Sequence, residues 1–133
     1  MSLTGAAHAQ GELLLQVKPA VTTAVTLFQA SQLRTEITLL VASLIESYSG
    51  GGVSIVLYHD DSGTTYDDTT VIWTATRATT DVDMLFQAQH AGSGIFIKPG
   101  GSLGVKIDSA DDVNFSLYGI TETLADITQS SLR

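Results

Sequence analysis

The chain has no cysteine, so disulfides, zinc–thiolate centres and cysteine nucleophiles are excluded outright. Positive charge is scarce. Six Lys and Arg face fourteen Asp and Glu, a net charge of −8. That balance disfavours phosphate backbones and anionic membranes, both of which reward clustered cations. No long apolar run is present: Ile37 to Ile45 is nine residues, too short to cross a bilayer. The start, Met1 to Gln10, lacks a basic and then apolar leader, so Ala7-His8-Ala9 does not read as a cleavage site. Synthesis in a cytoplasm is the expectation. Only two prolines interrupt the chain, and both fall where strands should end.

What is present points to one folded domain. Apolar residues make up 44% and charged residues 15%, which argues against disorder. A chain of 133 residues suits a single core. The clearest signal is Val53-Ser54-Ile55-Val56-Leu57-Tyr58-His59, whose near-alternation has the period of a strand with one face more buried. Asp60-Asp61-Ser62-Gly63 breaks it with turn formers, and Val71-Ile72-Trp73 resumes an extended run. The pair reads as two strands joined by an acidic loop.

Further strand candidates are 12–17, closed by Pro19; 22–28, rich in β-branched residues; 82–88; 95–97; 103–108; and 113–120. Turn signals recur about every eight to twelve residues, the rhythm of a sandwich or barrel. Arg34 to Ser47 is ambiguous. Ile37, Leu40, Val41, Leu44 and Ile45 lie at helical spacing, yet the run also reads as a strand buried on both faces. Its extended neighbours and the short Gly50-Gly51-Gly52 connection favour the strand. The expected fold is all-β: an antiparallel sandwich of jelly-roll type with about eight short strands. Residues 12–120 form the domain, 1–11 a flexible lead and 121–133 a tail. The expected interior is Ile37, Leu39, Val41, Val53, Ile55, Leu57, Val71, Trp73, Val105, Ile107, Phe115 and Leu117.

No active site is visible. Of His8, His59 and His90, only His59 falls on a strand candidate, and no nucleophile elbow accompanies its neighbour Asp60. Gly50-Gly51-Gly52 lacks the Gly-Lys-Ser/Thr of a phosphate loop and reads as a flexible turn. Asp60, Asp61, Asp67 and Asp68 are the one weak calcium candidate, since clustered carboxylates suit a hard cation. Their spacing is not that of an EF-hand, so a solvated hairpin tip, with Asp60 and Asp68 accepting backbone hydrogen bonds, is preferred. No metal, cofactor or catalytic residue is assigned. Trp73, Tyr48, Tyr58, Tyr66 and Tyr118 could stack sugars, but aromatic residues on strands more often serve a core or interface.

Four stretches in order, Arg34-Thr35 before the long apolar run, 57–67 (LYHDDSGTTYD), 97–105 (IKPGGSLGV) and 113–120 (VNFSLYGI), resemble small β-sandwich accessory proteins of tailed-bacteriophage virions. That group includes capsid decoration, or cement, proteins and neck or tail components. The three glycines at 50–52 and the 121–133 tail depart from the pattern. The resemblance implies a structural protein of the virion with no catalytic residues. It would form a homo-oligomer, a trimer slightly favoured, and bind capsid or tail proteins, with no nucleic acid or membrane partner. A tail-associated receptor- or glycan-binding module is the alternative.

Overall fold

A computed structural model describes residues 11–76, the backbone of 77 and of 82–87, and residues 94–122. Nine strands occur among them: β1 (Glu12–Val17), β2 (Val25–Gln29), β3 (Thr35–Leu44), β4 (Val53–Asp60), β5 (Val71–Arg77), β6 (Val82–Gln87), β7 (Ile95–Ile97), β8 (Ser102–Ile107) and β9 (Val113–Thr121). Residues 35–44 are strand, as the extended neighbours implied. The turn rhythm therefore marks the strands well. The nine strands fall at the nine stretches read as strand candidates, one more than the round figure of about eight. Strands β7 and β6 share one edge of β3, at Thr35–Ile37 and Leu39–Ser43 respectively. The first ten residues and those after 122 lie outside the described residues. The proposed tail boundary is crossed by β9, which runs to Thr121, and Glu122 N–H donates to Arg34 O at 3.0 Å.

All pairings are antiparallel, in two sheets. The larger runs β1-β9-β3-β6 with β7 also on β3; the smaller runs β2-β8-β4-β5. Their inner faces meet in one apolar layer. Ile37, Leu40, Ile97, Phe115 and Leu117 come from the larger sheet, and Val53, Ile55, Leu57, Leu103, Val105 and Ile107 from the smaller. This is sheet-on-sheet packing, with alternate side chains from each strand filling the space between. Trp73 and Ala75 of β5 pack at its margin.

Three residues expected inside are not there. In β3 the register with β9 shifts between Ile37, opposite Gly119, and Leu39, opposite Tyr118. The extra residue, Thr38, reverses the phase of everything after it. Leu40 and Ala42 are buried, while Leu39 and Val41 turn to the outer face and stay partly exposed. A second shift, in β5, sets Trp73 opposite Leu57 but Val71 opposite Tyr58. Val71 is consequently 37% exposed. Period-2 counting carries no warning of an inserted residue.

The glycine triplet is held rather than loose. Tyr48 Oη donates to Gly52 O at 2.8 Å and accepts from Gly52 N–H at 3.0 Å. A side chain at Gly50 would strike the Tyr48 ring, its Cβ lying 2.4 Å from the hydroxyl.

Truncation separates the two faces. Leu57→Ala is expected to cost about 2–5 kcal/mol, as a fully buried leucine should. Leu39→Ala, on the outer face, should cost clearly less in the same denaturant titration. Equal losses would show that Leu39 lies in the core after all.

Candidate functional site

The bulge that moves Leu39 and Val41 outward builds the most distinctive surface of the molecule. Residues directly opposite on antiparallel strands share a face. Leu13 of β1, Tyr118 of β9 and Leu39 of β3 thus form one row across the outer side of the larger sheet. Ile120, Glu36 and Phe96 form the next row toward one end. Gln16, Ser116 and Val41 form the row on the other side, where Gln16 Nε2 donates to Ser116 Oγ at 3.0 Å. Leu13 is 48% exposed, Phe96 41% and Ile120 36%. Large apolar side chains so exposed are ordinary when scattered, but these three share one face of one sheet, with Glu36 set between Ile120 and Phe96.

One end of this face is polar and organised. The Arg34 guanidinium lies 5.0 Å from the centre of the Phe96 ring, and its Nη2 is 3.0 Å from Glu122 Oε1. Glu36 Oε2 accepts the Gly94 N–H at 3.0 Å. These side chains, with Ile120 and Thr121, line a shallow cavity of about 120 Å³. A cation over an aromatic face is favourable in itself.

The acidic loop, by contrast, is directed inward on itself. Asp60 Oδ1 accepts the Ser62 N–H at 3.0 Å and Oδ2 the Thr65 N–H at 2.8 Å. Asp67 Oδ1 accepts both the N–H and the hydroxyl of Thr69. Asp61 pairs with Lys98 at 2.8 Å, in the open, where such pairs contribute little. Asp67, not Asp68, is thus the second acid that receives backbone hydrogen bonds. The four carboxylates do not converge, and among the described residues no group of three or more His, Asp or Glu is placed to hold a metal ion. The other acidic turn behaves alike: Asp108 Oδ1 accepts the Ser54 N–H at 2.9 Å, and Asp112 accepts the Ser109 hydroxyl.

The loop is also fastened to the smaller sheet by Tyr66, which the sequence reading weighed only as one of five aromatics for sugar stacking or packing. Tyr66 lies flat on Gly104 of β8, so close that a Cβ there would come within 2.5 Å of its ring. Its hydroxyl is 2.7 Å from Thr26 Oγ1 and 2.8 Å from Ser102 Oγ, and its ring centre is 5.6 Å from that of Tyr58. Glycine within a strand commonly marks such a close approach, which was the available signal.

His59 does not assemble a catalytic set. Its Nε2 is buried without a hydrogen-bond partner, and the adjacent Asp60 carboxylate serves the turn. His8 and His90 lie outside the described residues. No helix of the described residues is long and apolar enough to cross a membrane. No family model matches the chain, and no curated protein or solved structure is significantly similar to it.

Two outcomes follow. Hydrogen bonds from Ser62 and Thr65 hold the Asp60 carboxyl below its ordinary value, and those from Thr69 do the same for Asp67. A carboxyl whose pKa is lower folded than unfolded stabilises the fold above the unfolded value. That stabilisation disappears as pH falls from about 3.8 through the folded value, because the unfolded chain binds more protons there. Melting temperature should therefore fall across that acid range, and less steeply in Asp60→Ala. An unchanged slope would remove Asp60 from the account. Separately, Tyr66→Phe should cost about 1 kcal/mol in chemical denaturation. Gly104→Val should cost more, by forcing the ring off the sheet, and a neutral Gly104→Val would refute the close packing.

Proposed function

We propose that the protein is a non-enzymatic structural component of a tailed-bacteriophage virion, a capsid decoration or stabilising protein of jelly-roll type. It works by associating with itself and by binding an assembled capsid or tail surface. The carrying observation is that Leu13, Tyr118, Leu39, Ile120 and Phe96 share one face of the larger sheet, interrupted by Glu36 alone among the paired positions of those two rows. A chain with net charge −8 is kept apart from its copies by general repulsion, so a patch of this kind fits a specific interface.

The strand order supports the jelly-roll reading. Strands β1, β3, β6, β7 and β9 lie in one sheet and β2, β4, β5 and β8 in the other, so the chain crosses between sheets at most connections. The acid excess is consistent with protein rather than nucleic acid as the partner. The glycan-binding alternative has less support. Tyr48 holds its own turn, Tyr66 covers Gly104, Tyr58 is buried beside it, and Trp73 packs against the core. They form no common stacking platform.

Co-sedimentation with assembled capsids or tails tests the proposal. The wild type is expected in the particle fraction, and Leu13→Asp with Ile120→Asp in the supernatant at an unchanged melting temperature. A wild-type protein that stays in the supernatant with every virion particle overturns the proposal, and glycan affinity would then put the alternative in its place.

A further inference from the structure

Among the described residues, strand β5 is the edge of the smaller sheet and pairs with β4 alone. Two hydrogen bonds of β4 fix the direction of the backbone groups. His59 N–H donates to Thr70 O at 2.8 Å, toward β5, whereas Ser54 N–H donates to Asp108 at 2.9 Å, toward β8. Backbone groups alternate in direction along a strand, so the odd residues of β4 face β5. Their register partners are Trp73, opposite Leu57, and Ala75, opposite Ile55. Thr74 and Thr76 therefore turn their N–H and C=O away from the sheet.

That edge lacks the usual protection. From Val71 to Thr76 there is neither charge nor proline, although natural edges are commonly blocked by both. The register irregularity of β5 sits at Ile72 and leaves Trp73 to Thr76 regular. Two other edges differ. Strand β1 carries Glu12, a register shift between Leu13 and Leu15, and Lys18-Pro19 just beyond its end. Strand β2 has five residues and a shift between Thr26 and Phe28.

We propose that β5 pairs antiparallel with β5 of a second copy across a twofold axis near Thr74, joining two four-stranded sheets into one continuous sheet. Self-pairing suits this strand for a reason of charge. Asp67 and Asp68 precede its first residue and Arg77 is its last. With the axis near Thr74, the Arg77 end of each strand meets the Val71 end of the other. Asp68 and Asp67 precede Val71 by three and four positions in the sequence, so ends of opposite charge come together in a chain that otherwise repels itself. The contact is isologous, which closes at two copies. It uses a different surface from the outer face of the larger sheet and stands independently of the virion reading.

Size-exclusion chromatography with light scattering should return twice the chain mass of 14.0 kDa. Thr74→Lys with Thr76→Lys, both at exposed positions, should return 14.0 kDa with an unchanged circular dichroism spectrum. Because the chain has no cysteine, Thr74→Cys supplies a single thiol, and mild oxidation should link it into a dimer far faster than Ser54→Cys on neighbouring β4. Opposed strand residues lie within disulfide reach. A wild-type monomer, a trimer, or a dimer insensitive to both lysines overturns the proposal. So does a dimer abolished by Leu13→Asp with Ile120→Asp, which would place the contact on the larger sheet.

Discussion

The inserted residue Thr38 governs the arrangement of this protein. A strand has only two faces, and one extra residue exchanges them for the rest of its length. Before the bulge Ile37 points inward; after it Leu40 and Ala42 do, and Leu39 and Val41 are released outward. The core thus receives a leucine and an alanine instead of a leucine and a valine. Phe115 and Leu117 of the neighbouring strand fill the space opposite. The same exchange creates the outer apolar face, since Leu39 completes the row with Leu13 and Tyr118. Core and candidate interface are two results of a single insertion.

Much of the fold was legible because it depends on local chemistry. Alternation in 53–59, 103–108 and 113–120 marks strands β4, β8 and β9, and turn formers at 60–63 and 98–101 mark their ends. The double-faced run 34–47 was also informative: it carried more apolar side chains than one face could hide, and the surplus lies on the outside of the sheet. The bulges at Thr38 and Ile72 were not legible, because an inserted residue is defined only by its pairing with another strand, the far β9 for Thr38 and the preceding β4 for Ile72. Arg34 and Glu122 could not be matched from the sequence for the same reason, being 88 positions apart yet 3.0 Å from each other.

The acidic residues show how composition and geometry part company. Four aspartates within nine positions suggested a cation, but in space Asp60 and Asp67 turn to nearby N–H groups and Asp61 to Lys98. Aspartate competes well for the backbone of its own turn. The negative charge is in this way distributed along a structured loop. The face on the opposite sheet carries two carboxylates among the described residues that line its cavity, Glu36, engaged by Gly94, and Glu122, paired with Arg34.

The seat of Tyr66 on Gly104 has a consequence for how the chain can be cut or lengthened. A long polar hairpin is ordinarily where proteases nick a domain and where foreign peptide is tolerated. Here the segment from Asp60 to Thr70 is sewn to three strands, through Thr26, Ser102 and the backbone of β4. Cleavage or insertion within it would have to unseat the tyrosine and strip the hydrogen bonds from two aspartates. The acidic hairpin is thus pinned to the smaller sheet through Tyr66, and the amides of Ser62, Thr65 and Thr69, bonded to Asp60 and Asp67, should exchange with solvent more slowly than those of an untethered loop.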